Sequence, residues 1–274
     1  MSNYSAMELA SAFIQAGELD DALDVLSNHL KTEPGDQEAH RLYAEVLARI
    51  PERRQDAITA LLTLYQLRAE DYLRCSALYE SLGDTGRAEA IIEKALAVYP
   101  DHERLLERRI GLLQASGNLA EARAIADRLP RSWRWLQWSG DLAAQAGDTG
   151  AALSHYNAAI DGLSAVLAVD AGDWGGPIKA RLLLARAAVQ RQREAYDESD
   201  ADLAAAGILL PDDPTIGFNR GLIACLRGDH GAALDLCRQG LASAPPYIAE
   251  AMHRELQADP RYAKLATDLD EVAE

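Results

Sequence analysis

A glycine followed five residues later by an alanine recurs along this chain, and no other feature constrains its fold as much. Within residues 69–102 the pair is Gly83 and Ala88, which separates two short amphipathic stripes, and Pro100 ends the second stripe. The pair recurs as Gly17 and Ala22, Gly117 and Ala122, Gly147 and Ala152, and Gly228 and Ala233. Two short helices cannot bury both of their apolar faces alone, so the recurrence predicts a stack of helix pairs.

The spacing of the terminating prolines sets the period of this recurrence. Pro211 and Pro245 are 34 residues apart, and Pro34 and Pro100 are 66 residues apart, close to two units. This pattern resembles the tetratricopeptide repeat. The resemblance implies an all-α, right-handed α-solenoid of about seven helix-turn-helix repeats, forming one domain over residues 1–274. The expected repeats are residues 3–36, 37–68, 69–102, 103–131, 132–169, 178–211 and 212–245, followed by a C-terminal cap over 246–274.

Two repeats depart from the pattern. In the second, Pro51 stands near the position of the turn glycine and is expected to end the first helix. The sixth lacks a turn glycine, which leaves its register uncertain by two residues. Ala152 and Ser199 are 47 residues apart, so roughly 13 extra residues precede the sixth repeat. We expect them to extend a helix and to form a functional or mobile loop at residues 170–177.

The sequence carries no pattern typical of a catalytic site. It contains no phosphate-binding glycine loop, no HExxH and no GxSxG, and its six histidines are scattered. Asp170 and Asp173 are a weak candidate pair for a cation, and a solvated turn is favoured. A solenoid presents an open groove, whereas catalysis needs side chains that converge in a pocket. We therefore expect a protein without enzymatic activity, cofactor or metal.

The composition agrees with an intracellular helical protein. Of all residues 49% are apolar and only 6% are aromatic, and no apolar run approaches the length of a membrane span. The first residues carry no early lysine or arginine and lead directly into the first repeat, so we expect no secretion signal and a cytoplasmic location. Cys75, Cys225 and Cys237 lack metal-ligand spacing and are expected to be core or groove thiols.

The distribution of charge singles out the middle of the chain. The formal net charge is −16, yet residues 101–193 carry 12 basic and 10 acidic side chains. Three of the four tryptophans lie close together at Trp133, Trp135 and Trp138, just after Pro130 is expected to end a helix early. These rings either fill the resulting packing defect, which we favour, or form an exposed platform for a partner.

In the proteins that this chain resembles, first helices line a concave groove that holds extended or helical peptides. Gln137 and Asp141 are groove positions of the fifth repeat under this resemblance. The lysine and asparagine clamp of chaperone-binding members is not matched, because Met7 and Ser11 occupy its opening positions. The candidate partner-binding residues are Arg41, Arg49, Arg104, Arg134, Trp135, Trp138, Arg181, Arg186 and Phe218.

The resemblance implies a non-catalytic protein-interaction module that binds a partner protein or peptide in its concave groove. The central arginines favour an acidic or amphipathic segment at repeats 4 to 6. Nucleic acid is not expected, because the acidic flanks repel a long polyanion, and no membrane partner is expected. Two alternatives stay open: a permanent structural subunit of a larger complex, or a regulatory module of an enzyme or transcription factor encoded nearby.

Overall fold

The computed structural model describes residues 5–169 and 174–270, and all of its regular elements are helices. Within these residues there are sixteen α-helices, two short 3-10 helices and no strand, which confirms the all-α prediction for the described part of the chain. The helices fall into two compact units, Met1–Ala122 and Arg123–Glu274. Residues 170–173 of the expected loop, which include the weak cation candidates Asp170 and Asp173, lie outside the described residues.

The first unit is built from helix pairs. Its helices are α1 (Ala6–Ala16), α2 (Leu19–Thr32), α3 (Gln37–Arg49), α4 (Arg54–Leu62), α5 (Ala69–Ser81), α6 (Thr85–Val98) and α7 (Glu103–Ala115), and the boundary with the second unit falls within α8 (Leu119–Ala126). The 3-10 helix Pro51–Arg53 replaces the glycine turn between α3 and α4. Proline suits this place because a backbone N–H in the first turn of a helix has no acceptor within the helix, so the missing N–H of proline breaks no hydrogen bond.

The second unit repeats the arrangement, and two of its helices, α10 and α11, are longer than any helix that lies wholly in the first unit. Its helices are α9 (Trp133–Gln145), α10 (Thr149–Val169), α11 (Gly175–Gln192), α12 (Tyr196–Leu209), α13 (Pro214–Leu226), α14 (His230–Ser243), α15 (Pro246–Ala258) and α16 (Ala263–Asp270), with a 3-10 helix at Pro260–Tyr262. The extra residues after Ala152 lengthen α10 to 21 residues. No helix in the described ranges combines the length and hydropathy that a membrane span requires.

The recurrent glycines form the turns inside the helix pairs. Gly17, Gly83, Gly117, Gly147 and Gly228 all adopt left-handed backbone angles, with φ between 76° and 84°. Glu194 takes the same place between α11 and α12 with φ 61°, the one positive φ of a non-glycine residue in the described chain. This fixes the register of the sixth repeat: Ser199, five residues later, stands where the other pairs have alanine.

The small residues after these turns sit where the helices of a pair cross. The alanines at this position are Ala22, Ala88, Ala122, Ala152 and Ala233, and all have no exposed surface. Ser199 is equally buried, and its Oγ donates a hydrogen bond to the carbonyl oxygen of Ala187 at 2.7 Å. A buried hydroxyl is tolerated here because this bond satisfies its donor.

Candidate functional site

An open groove on the first helices of the second unit brings several of the predicted residues together. It has a volume of about 410 Å³, and its walls come from α9 and from the start of α11. Its lining residues are Trp133, Arg134, Gln137, Trp138 and Asp141 from α9, and Ile178 and Arg181 from α11. We call this surface the α9–α11 groove.

The spacing of the residues explains why one face of α9 lines the groove. Arg134, Gln137, Trp138 and Asp141 recur at intervals of three and four, so they project from the same side of the helix. The opposite side of the helix is buried, with Leu142 and other residues in the core. An amphipathic helix thus presents its polar and aromatic stripe to the groove.

The tryptophans divide between core and groove. Trp135 is only 3% exposed, whereas Trp138 is half-buried and lines the groove. The two rings stack with centroids 5.7 Å apart and planes 6° from parallel. Trp135 and Pro130 line the same small cavity, in the stretch after α8 has ended at Ala126. The packing interpretation therefore fits Trp135, which holds Trp138 in place as a groove wall.

The floor of the groove contains an aspartate held by a tyrosine from the second helix of the pair. Tyr156 Oη donates a hydrogen bond to Asp141 Oδ1 at 2.6 Å. The tyrosine ring reaches this carboxylate across Gly140, where a Cβ would lie 2.6 Å from Tyr156 Cε1. Burial raises the pKa of Asp141, although the tyrosine bond opposes that rise. Burial and the same carboxylate raise the pKa of Tyr156, which keeps its hydroxyl proton for this bond.

Two exposed arginines flank the aromatic wall. Arg134 and Arg181 both lie on the groove and both are exposed. Arg181 has no hydrogen-bond or ion-pair partner among the described residues. A guanidinium in this setting can donate two parallel hydrogen bonds to a carboxylate. The groove therefore offers a cation, apolar surface and amide groups in one place.

Arg186 does not share this surface, although it was predicted beside Arg181. Its Nε and Nη2 donate to both oxygens of Asp202, at 2.7 and 2.6 Å, and its Nη1 donates to Asn157 at 2.6 Å. These contacts tie α11 to α10 and α12. The carboxylate raises the pKa of Arg186. In the register set by Glu194, this arginine points toward the second helices, so it has a structural role.

The predicted arginines of the first unit are largely engaged within the protein. Arg41 is 9% exposed; its Nε donates to Asp71 Oδ2 at 3.0 Å, and its Nη2 donates to the carbonyl oxygen of Gln66 at 2.8 Å. Arg49 is exposed and pairs with Glu45. Arg104 is exposed on α7.

The first unit has a groove of its own, but its charges are neutralised internally. This groove has a volume of about 530 Å³ and is lined by α1, α3 and residues around the start of α5. Its arginines pair with its carboxylates: Arg41 with Asp71 and Glu38, Arg68 with Glu38, and Arg74 with Glu45. A charged partner would have to break these pairs, so this surface is a poorer candidate.

Phe218 is not available to a partner in this structure. It is 1% exposed and lies in an apolar cluster with Met252, Leu256 and Tyr262 from the C-terminal helices. Conversely, Ile178 lines the groove but was not predicted to, and Trp133 was predicted only as part of the tryptophan cluster. The helix α11 starts at Gly175, so residues 175–177, which were expected in a loop, belong to this helix.

Comparisons with known proteins place the fold among repeat proteins. Two family models described as tetratricopeptide repeat match residues 5–46 and 81–132. A tetratricopeptide repeat protein from Parabacteroides merdae is similar in structure over 96% of this chain and 97% of its own, with 16% identity and a TM-score of 0.59. The C-terminal part of a repeat protein from Cytophaga hutchinsonii matches 87% of this chain and 95% of its own, with 12% identity and a TM-score of 0.63. No curated protein matches the sequence.

Proposed function

Because this chain belongs to the tetratricopeptide repeat family, we propose that it is a non-catalytic, cytoplasmic interaction module and that the α9–α11 groove receives its partner. Arrays of stacked helix pairs present extended surfaces built from equivalent helix faces, and such proteins use these surfaces for binding. The ligand we propose is a protein segment with acidic side chains around an aromatic or aliphatic residue.

Arg181 carries this proposal. It is exposed on the groove and has no hydrogen-bond or ion-pair partner among the described residues. Although it lies 41 positions after Gly140 of α9 in the sequence, it lines the same groove as the polar face of α9. The comparable arginines of the first-unit groove are each neutralised by a neighbouring carboxylate. A ligand carboxylate at Arg181 would gain a charge-assisted hydrogen bond without breaking an existing pair.

The other groove residues complete the expected recognition. Trp138 and Ile178 offer apolar surface for one large side chain of the ligand, and aromatic surfaces of this kind dominate the energetics of many interfaces. Gln137 can both donate to and accept from a peptide backbone. Asp141 excludes a second carboxylate from the floor, which directs acidic ligand residues toward the arginines.

The proposal is tested by capturing partners from an extract of the protein's own cells with three forms of the tagged full chain. The forms are wild type, Arg181→Glu and Arg128→Glu. Arg128 is exposed and does not line the groove, so its reversal makes the same charge change elsewhere in the same unit. We expect wild type and Arg128→Glu to retain the same partner and Arg181→Glu to lose it.

Two results would contradict the proposed groove. Loss of the partner from both variants would show that binding depends only on the overall charge of the protein. Undiminished, stoichiometric retention by Arg181→Glu would favour the alternative of a permanent structural subunit held through another surface.

A further inference from the structure

The first helix of the last helix pair, α13, has a groove face that is covered. Leu222 stands six residues before the turn glycine Gly228 and has no exposed surface. The residues six positions before the other turns are all half-buried or exposed: Ser11, Glu45, Ala77, Gly111, Asp141 and Ala188. Asp141, the equivalent on α9, lines the open α9–α11 groove.

The cover is the chain's own C-terminal segment, residues 246–270. Phe218 and Leu222 share an apolar cluster with Met252, Leu256 and Tyr262 of this segment. The carbonyl oxygen of Arg261 accepts a hydrogen bond from Cys225 Sγ at 3.9 Å, so the segment also reaches the last turn of α13. The apolar surface that a partner would use on α13 is thus filled from within the molecule.

An ion pair extends this contact to the preceding first helix. Arg191 of α11 is 6% exposed; its Nη1 donates to Asn219 Oδ1 of α13 at 2.9 Å, and its Nη2 donates to Glu255 of α15. One helix, α15, therefore contacts α11 through Arg191 and shares an apolar cluster with α13. An additional repeat stacked regularly on the end of the array would contact only the last helix pair.

We propose that segment 246–270 is an intramolecular ligand that occupies a second groove on α11 and α13. This second groove selects an amphipathic helix with two apolar side chains four residues apart and a carboxylate one residue before the second apolar side chain. In this chain those positions are Met252, Leu256 and Glu255. A partner helix with the same pattern replaces the segment when the segment opens.

The attachment of the segment is suited to reversible opening. Segment 246–270 buries five side chains over its 25 residues, Met252, Leu256, Tyr262, Leu265 and Leu269, and Tyr247 near its start is 70% exposed. The carboxylate side chain of Glu255 is itself 40% exposed, so water can reach it. By comparison, α13 buries five of its 13 residues, so the segment is the more sparsely buried of the two. Elements with few buried apolar side chains open at lower free energy than the core they cover.

Hydrogen exchange on the full chain tests the opening. The variant is Glu255→Gln, which keeps the shape of the side chain and removes its charge. The matched control is Asp235→Asn on α14, an 80% exposed carboxylate outside this contact. We expect Glu255→Gln to accelerate exchange in residues 246–270 by about tenfold and to leave residues 133–160 unchanged. We expect no change in Asp235→Asn.

Binding in trans tests the ligand pattern. The probe is a fluorescein-labelled synthetic peptide of residues 246–270, added to the full chain. In the wild type the tethered segment competes at high effective concentration. We expect the peptide to bind Glu255→Gln more tightly than wild type or Asp235→Asn. In Glu255→Gln the tethered segment has lost its ion pair, so it competes less well with a peptide that retains the glutamate.

Either of two results would overturn the proposal. The first is exchange of residues 246–270 at the same rate as residues 133–160 in every form, because the segment would then open only with the whole fold. The second is equal affinity, or no binding, of the peptide to Glu255→Gln and wild type.

Discussion

At the scale of single residues, Gly140 leaves the space in which the Tyr156 ring packs beneath the α9–α11 groove. A Cβ at this position would lie 2.6 to 3.0 Å from three atoms of the Tyr156 ring. The ring cannot move freely because it is 2% exposed. Gly140→Ala should therefore lower the free energy of unfolding by about 1–3 kcal/mol through overpacking.

Gly150→Ala is the control for this prediction. Gly150 lies in the first turn of α10, where the nearest atom to a new Cβ is Asp148 Oδ1 at 3.8 Å. This change should be neutral or should stabilise the protein by up to about 1 kcal/mol. Urea unfolding of both variants measures the difference, and equal stabilities would show that Tyr156 does not pack across Gly140.

Glu194 stores a small strain at the turn between α11 and α12. Its φ of 61° is costly for a residue with a Cβ, and the five equivalent turns in the described chain use glycine. Glu194→Gly should therefore raise the free energy of unfolding by up to about 1 kcal/mol, because relief of strain outweighs the added freedom of the unfolded chain. Gly147→Ala, the reverse change at φ 76°, should lower it. A loss of stability in Glu194→Gly would contradict this assignment of the turn.

Asp141 gives the stability a pH dependence with a definite sign. Burial raises its pKa in the folded state, so the folded state holds this proton more tightly than the unfolded chain. Stability therefore falls as pH rises from the ordinary aspartate pKa through the raised value. Asp141→Asn removes this titration, and its amide oxygen can still accept the bond from Tyr156.

We expect Asp141→Asn to gain stability relative to wild type as pH rises from about 4 to about 7. Unfolding curves of both proteins across this range measure the gain. If the difference in the free energy of unfolding between the two proteins stays constant with pH, Asp141 does not titrate as the structure implies.

At the scale of helices, Arg186 and Arg181 test which side of α11 is structural. Arg186 bridges Asp202, whose side chain is 9% exposed, to Asn157. Arg186→Met would leave that carboxylate buried without its cation and should lower the free energy of unfolding by about 3 kcal/mol. Arg181→Met should change it by less than about 0.5 kcal/mol, because Arg181 is exposed. Similar losses in both variants would contradict the register of α11.

The helix pairs were predictable because their signals are local. Glycine at a left-handed turn, alanine at a crossing and proline at a helix end each act on the backbone nearby, so the positions around Gly83, Ala88 and Pro51 follow from the sequence. The sixth repeat was not predictable in register, because Glu194 adopts a backbone conformation that side chains rarely take.

The groove residues were predictable only in part, because exposure depends on distant packing. Arg134, Trp138 and Arg181 all line the α9–α11 groove. The burial of Phe218 required knowledge of where residues 246–270 lie, about 30 to 50 residues away along the chain. Nothing in the local sequence distinguishes Arg186, which pairs with Asp202, from Arg181, which points to the groove.

At the scale of the whole molecule, net charge and local charge act in opposite directions on binding. The chain carries a formal net charge of −16, which repels an acidic partner at a distance. The arginines of the α9–α11 groove act only within a few ångströms. For an acidic peptide, added salt should therefore raise the association rate constant and also raise the dissociation rate constant. Stopped-flow measurements between low and high salt test this, and an association rate that falls with salt would contradict it.

The role of the α9–α11 groove is tested most directly by the affinity of the full chain for an acidic peptide selected from a random display library on the wild-type protein. Titration calorimetry compares wild type, Arg181→Glu and Arg128→Glu with the same peptide. We predict that Arg181→Glu weakens binding at least about tenfold and that Arg128→Glu stays within about twofold of wild type. Unchanged affinity in Arg181→Glu, or the same loss in both variants, would contradict the claim that the α9–α11 groove is the binding site.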